Sequence, residues 1–355
     1  MLKSAPAWHG MAHGCMDTVD TTEALALARR HWAVDGEISR LPSYMDQNFR
    51  IRGAGGDFVL KVAHPSWARS DLDLENCAML ALAAHEPELH WPRVQRSVDG
   101  AHLLTVPVAG QTCLVRMLSF VPGATYAEII DRTDRAQRAS LHESLGAVLG
   151  RLTRALRDFR HPAAGRRHAW NLLHLPDLQQ NLDLIDEAVL RARVASHVQA
   201  FADRLPRWQA ALPMALLHND ANDRNVIVSE DGDGHPQVTA LIDFGDMCSS
   251  FRVAELAIAC SYAMQHEADP VACAQNIIRG YLAHSELQRT ELEQLHGFII
   301  ARLCQSILMA ARAQRDNPDN HYISTSQHGV RELLRELTDI APDAIAGPYL
   351  EHCHE

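Results

Sequence analysis

The tightest constraint in this chain is a pair of short segments in which apolar runs stop at clusters of acid and amide groups. The first, LLHNDANDRNVIV, carries His218, Asp220 and Asn225. The second, ALIDFGD, carries Asp243, Phe244 and Gly245. Each apolar run reads as a short buried strand, and each polar cluster as the loop at its end. A carboxylate at such an edge is held rigidly and still reaches solvent or a ligand. H-x-D-x-x-x-x-N followed by D-F-G has the order and spacing that phosphoryl transfer from a nucleotide requires. One carboxylate serves the acceptor hydroxyl, and one carboxylate with one amide suits Mg²⁺.

Around these segments the pattern changes along the chain. Residues 1–19 read as an irregular arm, and Asp20 can cap the helix that begins TEALALARRHW, with Glu23 at the capping-box position. NFRIRG and DFVLKVA then alternate as strands, with Gly53-Ala54-Gly55-Gly56 as the hairpin turn between them. Residues 70–84 return to helical spacing through Leu74, Ala78 and Leu82. AHLLTVPV and QTCLVRMLSFV are two more strands, joined at Ala109-Gly110. Beyond Pro122-Gly123 the chain is mostly helical. Leu141, Leu145, Val148, Leu152, Leu156 and Phe159 keep a spacing of three or four. A long helical stretch follows over about 177–211, with a break expected near Pro206, and later helices are expected over 251–264 and near 271–283, 289–313 and 328–340. Residues 230–234 superficially resemble a calcium loop but lack its twelfth-position glutamate, and read as a hairpin turn.

This gives an α+β chain in four parts: an arm and helix over 1–34, a strand-rich nucleotide-binding part over 35–119, a hinge over 120–123, and a helical part over 124–355. A cleft between two such parts is a common place for a ligand. A chain of 355 residues can bury sizeable cores. Its net charge of −11 argues against nucleic acid as a partner. No apolar run reaches the length of a membrane span. The N-terminus shows no signal-peptide core. The eight cysteines form no C-x-x-C pair; Cys77, Cys260, Cys273 and Cys304 read as small buried hydrophobes, which fits a reduced, cytoplasmic setting. Twenty-one histidines invite a metal reading, but there is no H-E-x-x-H, and the tail His352-Cys353-His354 reads as a frayed terminus.

Asp220 is the candidate catalytic base; alone it would read as a turn aspartate, and Asn225 with Asp243 gives it the catalytic role. His218 reads as ordering the loop. Lys61 lies in the apolar run Val59-Leu60-Lys61-Val62, where a lysine is costly unless paired, so it is assigned to nucleotide phosphates. Glu75 on the next helix is placed to hold it. The phosphate-covering loop is assigned to residues 42–48, with Ser43 and Asn48 among its polar groups, because the Gly53–Gly56 turn lies too near Lys61.

On these residues the chain resembles the aminoglycoside phosphotransferase and choline kinase group, over about residues 35–310. LPSYMDQNF, GDFVLKV and IDFGDMCSSFRVAELAIACSYAM are most similar to its hydroxylysine kinase branch, from which Met45 departs where an acidic residue is more frequent. The resemblance implies a two-lobed, protein-kinase-like fold with an antiparallel-sheet N-lobe and a mostly helical C-lobe. It implies Asp220 as base, Asn225 and Asp243 on Mg²⁺, Lys61 with Glu75 at the phosphates, GTP or ATP as donor, and a small amine-bearing alcohol as acceptor. Hydroxylysine heads the acceptors, with homoserine, choline or ethanolamine, and aminoglycosides as alternatives. A non-catalytic nucleotide binder of the same fold is the competing class. Only Asp246 to Ser250 separate Gly245 from the next helical run, which leaves no room for an activation loop to seat a protein substrate. Asn222 also stands where a protein kinase has its loop lysine. For the acceptor's ammonium, Asp246 and Asp223 are candidates by sequence proximity, and Arg252 is the candidate for a carboxylate.

Overall fold

The computed structural model describes residues 18–43, 45–108, 110–316 and 327–351. Most of the expected N-terminal arm, Tyr44 of the 42–48 loop, Ala109 of the 109–110 turn and the His352-Cys353-His354 tail lie outside the described residues. The chain divides into two compact units. Of the described residues, the first holds those within 1–122, 158–169 and 240–245, and the second those within 123–157, 170–239 and 246–355.

The first unit begins with α1 (Thr21–Trp32), where the Asp20 carboxylate accepts the Glu23 amide at 2.8 Å. Strands β1 (Gly36–Leu41), β2 (Gln47–Gly53) and β3 (Gly56–Val62) precede α2 (Arg69–His85). β4 (Val94–Gln95), β5 (Leu104–Val108) and β6 (Gln111–Ser119) complete an antiparallel sheet ordered β1-β2-β3-β6-β4, with β5 also on β6. The β2–β3 hairpin closes where the glycine run predicts. Gly53 pairs with Gly56, whose φ of 128° favours glycine. Period-2 alternation sends Phe49, Ile51, Leu60, Val62, Val115 and Met117 to one face, where Ala24, Ala28 and Trp32 of α1 cover them. β1 and β4 escaped the sequence reading. β1 has a charged, largely exposed pattern, and β4 is two residues long.

The second unit opens with β7 (Ala124–Thr125), the short helix α3 (Tyr126–Ile129) and α4 (Arg135–Ala155). Between α4 and α5 (Ala188–Ala211), Leu172–Leu184 winds as 3₁₀ turns, so the expected helix over 177–211 is two elements. α5 runs through Pro206 without the expected break. Beyond the proline, Trp208 is held with its ring centroid 5.0 Å from those of Phe201 and Phe298, which pins the last turn. β8 (Met214–Leu217), β9 (Val226–Glu230), β10 (Pro236–Leu241) and β11 (Cys248–Phe251) follow, with β8 antiparallel to β11 and β9 lying between β7 and β10. The rest is helical: α6 (Arg252–Ala263), α7 (Pro270–Leu282), the short α8 (Arg289–Leu292), α9 (Leu295–Asp316), α10 (Gln327–Asp339) and α11 (Asp343–Leu350). α6 carries an unbroken run of buried residues and is a central helix of this unit. Cys260, Cys273 and Cys304 are buried as expected, whereas Cys77 is only half-buried.

Candidate active site

Each unit carries one half of the chemistry read from the sequence. In the first, Lys61 on β3 is buried, at 7% exposure, and its Nζ lies 3.2 Å from Asp243 Oδ1. Burial alone would lower the lysine's pKa. Attraction to Asp243, and then to Asp46 and Glu75, outweighs it and holds the ammonium charged. Asp243 follows β10 with a φ of 62°, an unusual backbone for a non-glycine residue, and its side chain is about half exposed. Such a residue is fixed by its backbone while its oxygens stay accessible.

Glu75 is fully buried on α2, and its hydrogen-bond partner is Arg116 rather than Lys61. The register explains this: Arg116 on β6 sits directly opposite Lys61 on β3, and its fork takes both Glu75 and, at 2.9 Å, the Asn76 amide oxygen. Glu75 still acts on Lys61 through its charge. Asn48 sits opposite Lys61 on the other side, on β2. Its Oδ1 is buried with no hydrogen-bond partner, an acceptor left open beside the lysine. Ser43 is exposed on the preceding loop.

Two further residues matter in this half: Asp46, inside the 42–48 loop but not singled out within it, and Arg166, which the sequence did not point to. Asp46 Oδ1 accepts from the His64 amide at 3.1 Å and the Trp67 indole at 3.0 Å, and burial raises its pKa. It thereby pins the loop before β2 to the segment after β3. Arg166 donates to the Gly245 carbonyl and so braces the D-F-G turn. Neither had a local signal, since each acts through a partner far away in sequence.

In the second unit the β8-to-β9 loop holds Asp220 in a cage of amides. Asn222 Nδ2 donates to Asp220 Oδ1 at 3.0 Å, and Asn225 Nδ2 donates to Oδ2 at 2.7 Å and to the Asp220 carbonyl at 3.0 Å. With its amino group turned to Asp220, Asn225 keeps its amide oxygen for another partner. An oxygen ligand of that kind fits Mg²⁺, and so does the accessible carboxylate of Asp243. His218 Nδ1 accepts from the Asp220 amide at 3.3 Å, the ordering role its position suggested. Asn219 is buried with a φ of 67°.

Glu255 on α6 sustains that conformation. It is fully buried, and its two oxygens accept the amides of His218 at 2.6 Å and Asn219 at 3.1 Å. Burial is the largest influence on it and raises its pKa to about 7, against the opposing pull of those hydrogen bonds. Sequence reading passed over Glu255 inside an apolar helix, although a carboxylate there needs an explanation as much as Lys61 does in its strand.

The proposed acceptor contacts are placed differently. Arg252 is closed on the buried carboxylate of Glu291, with Nε 3.0 Å from Oε1, so its fork is already occupied. Asp223 Oδ2 meets His266 Nε2 at 3.2 Å. Asp246 is partly buried just after the D-F-G turn. Among the described residues, Asp73, Cys77 and His161 form a group with ligand atoms within 4.8 Å of one another. There His161 Nδ1 accepts the Ala163 amide, which puts the neutral ring's proton on Nε2 facing Asp73. That is a hydrogen-bonded pair and a poor metal ligand set.

A family model described as phosphotransferase enzyme family matches residues 37–295. Hydroxylysine kinase from Mus musculus is 27% identical over 338 residues, covering 89% of this chain and 88% of that protein. The Danio rerio protein of the same name is 26% identical, covering 90% and 91%. Among solved structures, an aminopropanol kinase associated with a microcompartment superposes with a TM-score of 0.69 at 17% identity, covering 92% of this chain and 99% of that one. An amicoumacin kinase in complex with AMP-PNP and Ca²⁺ superposes with a TM-score of 0.68 at 15% identity, covering 91% and 96%. The antiparallel sheet and helical remainder are thus the fold of protein-kinase-like phosphotransferases.

Proposed function

The chain belongs to the phosphotransferase enzyme family and is a small-molecule kinase, and from that premise we propose that it moves the terminal phosphoryl group of GTP or ATP to the hydroxyl of 5-hydroxylysine. The acceptor rests on the named relatives, which align over about nine-tenths of the chain. The chemistry rests on one observation above all. The Asp220 carboxylate is fixed by Asn222 and by the same Asn225 whose amide oxygen is left to another partner.

Asp220 orients the acceptor hydroxyl and receives its proton as the oxygen attacks phosphorus. Lys61 meets the donor phosphates with a charge that Asp243 helps to maintain. Asn225 and Asp243 would hold Mg²⁺, which when bound neutralises charge on the phosphate oxygens. Glu255 and His218 keep the Asp220 loop in its unusual backbone, so that little reorganisation is left for the reaction itself.

The acceptor is tested by offering hydroxylysine, homoserine, ethanolamine, choline and kanamycin with each nucleotide and Mg²⁺. The proposal expects the highest kcat/KM on hydroxylysine. A clear preference for any of the others reassigns the acceptor. Nucleotide binding with no transfer to any of them supports the competing reading, a non-catalytic binder.

A further inference from the structure

Arg302 on α9 is a fully buried guanidinium in a helix whose other buried residues are apolar except for His296 and Gln305. Its Nη1 donates to the Trp170 carbonyl at 3.1 Å and to Gln305 Oε1 at 3.1 Å. Its Nη2 donates to the Tyr262 hydroxyl at 3.4 Å and lies 3.7 Å from Asp220 Oδ1. The guanidinium also stacks over the Trp170 ring, 4.6 Å from its centroid. Among the described residues, Asp220 is the carboxylate within salt-bridge distance, while Asp246 and Glu255 feel the charge from further away.

Burying a guanidinium is costly unless its charge and its donors are matched. Here the match is partial. Nε is buried and has no hydrogen-bond partner. Neutral acceptors take most of the fork, and a neutral side chain could satisfy them without the cost of a buried charge. What a neutral side chain could not supply is a positive charge against Asp220 Oδ1. The Trp170 carbonyl that Arg302 holds also accepts from Asn219 Nδ2 at 3.3 Å, so the same arginine steadies the loop at a second point. The loop itself carries no lysine or arginine directly beside Asp220, having Ala221 and Asn222 there.

We propose that Arg302 is a positioning residue of the phosphoryl-transfer reaction, holding the partly exposed Asp220 carboxylate in its working orientation through an ion pair from its buried guanidinium. This rests on the assignment of Asp220 as base. Arg302 acts through Asp220 and has no required contact with either substrate.

The test is a double-mutant cycle on the full-length protein, using Arg302→Met, Arg302→Lys and Asp220→Asn with whichever acceptor the wild type phosphorylates best. R302M is expected to lower kcat by roughly 30-fold or more while KM for the nucleotide stays within about threefold. R302K, which keeps the charge, should recover at least about fivefold of that loss. In the D220N background R302M should change kcat by less than about twofold, because the group it acts through is gone. A purely structural role would lower activity by the same factor in both backgrounds, and that result overturns the proposal, as does R302K no better than R302M. If R302M does not fold, the cycle is run with R302K alone. A loss of about threefold or more in the wild-type background and none in D220N supports the proposal; equal losses overturn it. If the wild type turns over no acceptor, the kinase reading fails, and the ion pair is then read from thermal unfolding. Subadditive Tm shifts for R302M and D220N sustain the pair, and additive shifts overturn it.

Discussion

At the residue scale, the proposed chemistry rests on a few side chains, each firmly held. Asp220→Asn keeps the size of the side chain but removes the proton acceptor and one of the two oxygens that accept from Asn222 and Asn225, so kcat should fall by roughly 10²–10⁴-fold with nucleotide binding retained. Turnover within a few-fold of wild type would refute Asp220 as the base. Lys61→Met removes a charged donor that is already fixed at 3.2 Å from Asp243, and should cost roughly 10²-fold in kcat/KM. An intact kcat/KM in that variant would move the phosphate contact elsewhere. Glu255 makes a prediction in pH. Its folded pKa of about 7 lies above the ordinary glutamate value of 4.5, so the folded state keeps a proton that the unfolded state gives up. Its contribution to stability is full below about 4.5 and is lost as pH rises through about 7, amounting to roughly 3 kcal/mol at most. Thermal unfolding of wild type and Glu255→Gln from pH 4.5 to 7.5 checks this. The wild type should lose stability relative to the variant as pH rises, and parallel curves would show that Glu255 titrates normally.

At the element scale, α4 and α7 pack backbone to backbone. A Cβ on Gly146 would come within 2.0 Å of the Ile277 carbonyl oxygen, and one on Gly280 within 1.9 Å of the Glu143 carbonyl oxygen. Gly→Ala in a helix ordinarily stabilises by up to about 1 kcal/mol. Here each substitution must push the helices apart, and a loss of about 1–3 kcal/mol in chemical denaturation is expected. A neutral or stabilising result would mean the helices stand further apart than described. Elements with a strong period were legible in the sequence: the β2–β3 hairpin, α2 and α6 appear where alternation or three-to-four spacing placed them, and α4 does so as far as Ala155, ending before the Leu156 and Phe159 that the same spacing assigned to it. β4 was too short to show a period. α5 was misread at Pro206 because the packing of Trp208 on Phe201 and Phe298 overrides the local cost of proline. The site divides the same way. Asp220, Asn225, Asp243 and Lys61 stood out because they sit in or beside apolar runs. Asp46, Arg166, Glu255 and Arg302 gain their meaning from partners distant in sequence. Glu255 and Arg302 do carry a local signal, a charged residue within a buried helix stripe, of the same kind as Lys61 in its strand.

At the scale of the whole molecule, family membership and the curated relatives place the chain among small-molecule kinases, and the remaining questions are donor and acceptor. Among the described residues no helix is long and apolar enough to cross a membrane. Removing divalent metal with a chelator should abolish transfer, and adding back Mg²⁺ should restore it, if Asn225 and Asp243 serve as ligands. Transfer that persists in chelator would remove that assignment. The most direct test of the central claim is the transfer of labelled γ-phosphate from GTP or ATP to 5-hydroxylysine by purified protein, wild type beside Asp220→Asn. Phosphorylated hydroxylysine is expected from the wild type, with the rate in the variant reduced by at least about 10²-fold. Phosphorylated product formed equally by both proteins, or bound nucleotide with no product from either, would contradict it.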